Sequence, residues 1–179
     1  MSGAKPVHLA RRFVRALWPG SPRAHDVEWV ESILEPGELV LWRELPDHDQ
    51  RYSIRVARHV EAGLAGTEYA GQSRWLAVAL LHDVGKLDAG LGVLGRSVAT
   101  VVGATAGRAR VDRWSAASGF RGRAARYLRH DERGAERIRA AGGRDEAARW
   151  ALAHHHRDRW PASGVPVAVA EALEAADNA

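Results

Sequence analysis

Apolar residues recur at helical spacing along almost the whole chain, and nowhere do they alternate one in, one out. Half-buried strands need a period of two, whereas helices repeat every 3.6 residues, so this pattern argues against any sheet-built fold. "SRWLAVALLHDVG" reads as a mostly buried helix that Gly85 closes as a C-terminal cap. From Asp49 onward Tyr52, Val56, His59, Val60 and Gly63 fall on one helical stripe. Further helical stretches are "DVEWVESIL", "GELVLWREL", "RSVATVVGA", "VDRWSAASG", "RGRAARYLRH", "ERGAERIRAAG", "RDEAARWALAHHH" and "PVAVAEALEAADNA". Pro19-Gly20, Pro36-Gly37 and Pro46 punctuate them, because proline cannot continue a helix. The expected fold class is all-α, a compact helical bundle. Residues 1–45, which include the amphipathic "HLARRFVRALW", read as an N-terminal helical extension, and 46–179 as the domain that carries chemistry.

The chain has no cysteine, which removes disulfides, thiolate zinc sites, iron–sulfur clusters and cysteine nucleophiles together. A metal here must be held by imidazole and carboxylate, which suits Mn, Fe, Ni, Zn or Mg. The net charge of +4 comes almost entirely from arginine, with Glu132, Glu136, Asp145 and Glu146 interspersed. Such mixing describes solvated helix faces and argues against a nucleic-acid partner. The seven tryptophans sit among apolar residues and read as packing anchors. Nothing resembles a secretory signal. "AGLGVLGRSVATVVGATAG" is broken by Arg96 and five glycines, so no membrane span and a cytoplasmic protein are expected.

His-Asp occurs four times, at 25–26, 48–49, 82–83 and 130–131, so the dipeptide alone carries no meaning. Only His82-Asp83 ends a buried helix, where each side chain has to be neutralised or bound. Lys86, one of two lysines, follows within one turn and can meet phosphate as a point charge. Glycine-rich phosphate loops and an HExxH zinc motif are absent, and Ser163 in "ASGVP" lacks the context of a nucleophile.

"HDVGK" resembles the central motif of the HD superfamily of metal-dependent phosphohydrolases, including its HD-GYP branch. The later pieces of that family's pattern follow in order over residues 48–179. "YLRHDERGAERI" is similar to the segment in which a His is followed four residues on by Gly, here His130 and Gly134. "AHHHRDRWPASGVP" resembles its His-His stretch, and "VAEALEAADNA" its closing helix, with Asp177 in the place of the last metal-binding Asp. The resemblance implies an all-helical domain holding one or two divalent ions. His82, Asp83 and Asp177 hold one ion, and Asp83 bridges to a second completed by His130 and one or both of His154 and His155. His156 is the expected outsider of the three-histidine run. The implied reaction is hydrolysis of a phosphomonoester or phosphodiester, of a nucleotide, by metal-activated water. Asp83, Lys86 and, more weakly, Arg55 are the implied catalytic groups.

Two departures stand out. "SGVP" stands where Gly-Tyr-Pro would be, which argues against cyclic dinucleotides. Tyr52, ahead of Arg55-Val56-Ala57, occupies the place of the family's first metal histidine, and a neutral phenol is a poor ligand. His59, seven residues on, faces within about 20° of Tyr52 and is the possible substitute. It lies about 10 Å further along the axis. The alternative reading is accordingly a degenerate, non-catalytic HD module that binds a nucleotide or regulates.

Overall fold

The computed structural model describes residues 20–179, and every regular element among them is helical. Helices α1 (Ala24–Glu31) and α2 (Pro36–Arg43) lead into the long α3 (Asp47–Leu64) and the buried α4 (Ser73–Leu81). A 3-10 helix, Val84–Ala89, follows α4 almost at once. Then come α5 (Val93–Ala106), α6 (Arg108–Trp114) and α7 (Gly119–Leu128). The bundle closes with α8 (His130–Ala140), α9 (Asp145–Ala153), a short 3-10 turn (Arg157–Arg159), α10 (Trp160–Ser163) and α11 (Val167–Asp177).

Helix α4 is the axle: Trp75 to Leu81 are all buried, with α3 and α9 packed against it. Helix α8 lies on α9, and α11 lies on α3. An apolar helix without a polar face is stable only when surrounded in this way. The buried stripe of α3 runs through Ser53, Ile54, Val56, Ala57, Val60 and Leu64. His59 and Gly63, expected on that stripe, are exposed. Each is one residue from a buried neighbour, and one residue is a turn of about 100°.

Residues 24–45, read from the sequence as part of an extension, share the core of the domain. Val30, Ile33, Leu34, Leu41, Trp42 and Leu45 are buried in one cluster with Val60, Leu80, Ile138 and Trp150. The indole of Trp42 donates to Ser53 Oγ at 2.9 Å. Buried Glu38 accepts from the Arg144 backbone N–H at 2.8 Å and from its guanidinium at 2.6 Å. A buried acid is tolerated because both its charge and its lone pairs are answered. The expected helix around "HLARRFVRALW" lies outside the described residues.

A second, smaller cluster of Ala89, Leu91, Ala99 and Ala124, with Tyr127 against it, joins α5 and α7. Among the described residues no single helix is long and apolar enough to cross a membrane.

Candidate metal centre

Helix α4 stops just where its chemistry begins. His82 keeps right-handed helical dihedrals (φ −53°, ψ −30°), and Asp83 leaves them (φ −108°, ψ 6°). The change of direction lets neighbouring side chains address one space instead of diverging by about 100°. The 3-10 helix that follows ends at Gly90, whose φ of 58° is a left-handed conformation that glycine adopts without steric strain.

Gly85, expected as the cap, lies inside the 3-10 helix and serves a different purpose. A Cβ on it would fall 1.9 Å from His130 O and 2.5 Å from Gly134 N. Gly134 faces it in turn, its own Cβ position being 3.3 Å from Gly85 N. This backbone-to-backbone contact seats the start of α8 on the 3-10 helix and brings His130 beside Asp83.

The expected ligands converge. The donor atoms of His82, Asp83 and Asp177 form one group and those of His130, His154 and His155 another, each within 4.8 Å. Asp83 stands between them. Its Oδ2 lies 3.3 Å from His82 Nε2, while its Oδ1 lies 3.4 Å from His130 Nε2 and 3.9 Å from His154 Nε2. Asp177 Oδ1, from the last turn of α11, lies 3.4 Å from His82 Nε2.

Backbone carbonyls fix the tautomers. Nδ1 of His82, His130 and His154 lies 2.8, 2.8 and 2.7 Å from the carbonyls of Ala79, Tyr127 and Ala151. A carbonyl only accepts, so each Nδ1 carries the proton and each Nε2 is turned inward. Such a second-sphere bond is how metal-binding imidazoles are held. Asp83 Oδ1 and His154 Nε2 are buried without a hydrogen-bond partner. His130 Nε2 and His155 Nε2 lie 3.0 Å apart, nitrogen against nitrogen. One ring N–H answers the other there, but Asp83 Oδ1 and His154 Nε2 remain buried acceptors without a hydrogen, which is costly unless a cation or proton lies near them. The donor set therefore fits a divalent ion of the kind that imidazole and carboxylate bind.

The two sides differ electrostatically. Burial pushes His82 down, but Asp83 and Asp177 outweigh it and raise its pKa to about 10. Burial raises the Asp83 carboxyl, yet Lys86 and His82 hold it well below the usual range. Asp177 is likewise held low against burial, by His82 and by the Tyr52 hydroxyl. Across Asp83, burial together with His155 and His82 drives His154 well below its ordinary value. Desolvation and the charge of His130 bring His155 down to about 4.

The remaining candidates are placed as follows. The Tyr52 hydroxyl donates to the Asp177 carboxylate, with the Asp177 carbonyl 2.9 Å away. Lys86 pairs with Asp83 Oδ2 instead of projecting into open space. The Arg55 guanidinium stacks on the Tyr52 ring, 4.9 Å from its centroid. His59, the expected substitute ligand, is exposed and stands in neither donor group. The two turns of α3 that separate it from Tyr52 carry it past the site. His156 turns away toward Asp131, at 3.8 Å. Ser163 is buried in a turn, donating to Trp160 O at 2.6 Å.

Three features were not anticipated from the sequence: the clasp of Tyr52 on Asp177, the Gly85–Gly134 contact, and a cavity beside the donors. The cavity encloses about 170 Å³, with Val56, Trp150 and Leu173 as apolar lining and His82, His154, His155 and Asp177 among its polar lining. The Gly at 134 was visible in the pattern, but its partner was not. Comparison of the chain with protein-family models, curated proteins and solved structures finds no match.

Proposed function

We propose that the chain is a metal-dependent phosphohydrolase of the HD kind, acting in the cytoplasm on a phosphorylated small molecule, a nucleotide above all. The observation that carries the reading is the position of Asp83, one carboxylate set between two groups of inward-turned donors. A divalent ion bound there supplies Lewis acidity toward water and toward a phosphoryl oxygen.

The chain's own residues prepare the site. Carbonyl-anchored Nδ1 protons keep His82, His130 and His154 aimed, so their rings need not reorder when substrate arrives. Lys86 keeps Asp83 ionised and adds positive charge beside the place where phosphate charge accumulates. His155 is the most exposed of the donors and opens the group toward the cavity. That cavity is below the roughly 300 Å³ at which ordinary ligand pockets begin. It has room for the phosphoryl end of a nucleotide, with sugar and base extending out of it, and suits an extended dinucleotide less well. Phosphoryl transfer needs mainly positioning and charge stabilisation, and both are available here.

A nucleic-acid partner gains no support. Several arginines are held in ion pairs, among them Arg144–Glu38, Arg137–Asp88, Arg129–Glu132 and Arg96–Asp49. The second reading, a binding or regulatory module, is favoured by Tyr52, which stands where the family has a ligand. The test is a screen of nucleoside monophosphates and aryl phosphates with Mn²⁺, Co²⁺ or Ni²⁺ present. Metal-dependent phosphate release, lost by more than about 100-fold in Asp83→Ala, is the expected result. Binding of a nucleotide without turnover under every metal would leave the module reading in its place.

A further inference from the structure

The two donor groups are not equally open to a cation. In the His82 group both carboxylate oxygens nearest the imidazole already hold a donor: Lys86 sits on Asp83 Oδ2, and the Tyr52 hydroxyl on Asp177 Oδ1. His82 Nε2 makes no well-aligned hydrogen bond, but it stands 3.3 Å and 3.4 Å from those same two oxygens. The three groups face one another, and a cation entering there competes with Lys86 and Tyr52 for the carboxylate oxygens.

The other side has no such closure. Asp83 Oδ1 and His154 Nε2 are buried without a hydrogen-bond partner, and the hydrogen bond between the His130 and His155 rings can give way to a cation without breaking an ion pair. The rings enclose one point from three directions: centroids of His130 and His154 are 5.7 Å apart, of His130 and His155 4.9 Å, of His154 and His155 3.8 Å. Three imidazoles and a carboxylate supply four donors to Zn²⁺ or Co²⁺ without help from the His82 side, and the ion takes water or phosphate as a fifth ligand.

We propose that this chain is a single-ion protein whose metal is held by His130, His154, His155 and Asp83 Oδ1. The Tyr52–Asp177–His82 group is no longer a metal subsite and has become a polar clasp that docks the end of α11 onto α3. The proposal rests on the metal-dependent reading above and deepens it. Its consequence for substrate is definite. With one ion, phosphate is gripped from the side of His155 and the cavity, and Asp177 borders that cavity as polar wall.

The test uses the full chain, stripped with chelator and titrated with Co²⁺ alone, read by the visible spectrum of the bound ion and by metal content. The expected result is one cobalt per chain with a five-coordinate spectrum. Asp177→Asn keeps both stoichiometry and spectrum. His155→Ala weakens binding more than about tenfold and alters the spectrum. Because His155 is exposed, its loss leaves the helical circular dichroism unchanged, which separates lost ligation from lost folding. Tyr52→His is expected to admit a second ion. One cobalt that is lost in Asp177→Asn and retained in His155→Ala overturns the inference while leaving the metal-dependent reading intact, as do two cobalts in the unaltered chain. No bound cobalt in any variant overturns the metal-dependent reading as well.

Discussion

The His82 side and the His154 side of Asp83 are built from the same kinds of residue, yet they are finished in opposite ways. On the His82 side, Lys86 and Tyr52 place a donor on each carboxylate, and the imidazole is held protonated between two acids. On the other, rings packed together depress one another and leave buried acceptors without hydrogens. On one side both carboxylate oxygens nearest the imidazole hold a side-chain donor, and on the other Asp83 Oδ1 and His154 Nε2 hold none. Buried polar groups are stable only when satisfied, so an unsatisfied cluster in an otherwise well-packed protein marks the place that expects a ligand.

The largest way to break this contrast is through the glycine contact that builds only one side. Gly85→Ala puts a methyl against His130 O, and the start of α8 has to lift. Overpacking of this sort costs about 1–3 kcal/mol. Chemical denaturation of the metal-free protein is expected to show that loss, and cobalt affinity is expected to fall with it, because His130 moves. An unchanged cobalt affinity would mean that His130 is not a ligand.

Tyr52→Phe acts on the opposite side and less strongly. It removes the hydroxyl from Asp177, a hydrogen bond to a charged group worth about 1–2 kcal/mol where it is half-buried. Stability of the metal-free chain should drop by that amount while cobalt binding is unchanged. A loss of cobalt in this variant would place the ion on the Tyr52 side.

The smallest effect is in protons. With its pKa at about 10, His82 is protonated at pH 7, and an ion binding to its Nε2 has to expel that proton. His154 is held well below its ordinary pKa and His155 near 4, so both are neutral at pH 7 and bind without release. The pH dependence of cobalt affinity is the check. Binding through His82 would tighten about tenfold per pH unit from pH 7 to 9, because its proton has to leave. Affinity that rises less steeply over that range keeps the ion off His82.

Much of the fold was legible beforehand because helix formation is local. The apolar run of "SRWLAVALL" and the punctuation at Pro36 and Pro46 place α4, α2 and α3 close to where they lie. The stripe on α3 was misread at His59 because Tyr52, Val56, His59 and Gly63 also fit a helical spacing, and spacing alone does not say which of two adjacent faces the bundle covers. The part of the chain before residue 46 was separated because its helices are short and interrupted. Its membership of the core depends on Glu38 meeting Arg144 and Trp42 meeting Ser53, contacts between distant positions.

The site divides along the same line. Residue types and order determine which groups are available: a helix that must end at His82, an acid beside it, histidines at 130, 154 and 155, and an acid at 177. They also show that Tyr52 is a phenol where a ligand was expected. Only the tertiary structure decides what that phenol does, because its partner lies on another helix, and whether Lys86 faces open space or turns back onto Asp83. Gly85 reads as a cap in one dimension and is an approach surface for α8 in three. Local stereochemistry is written in neighbouring residues, but which buried donors are satisfied depends on what the packed helices bring to face them.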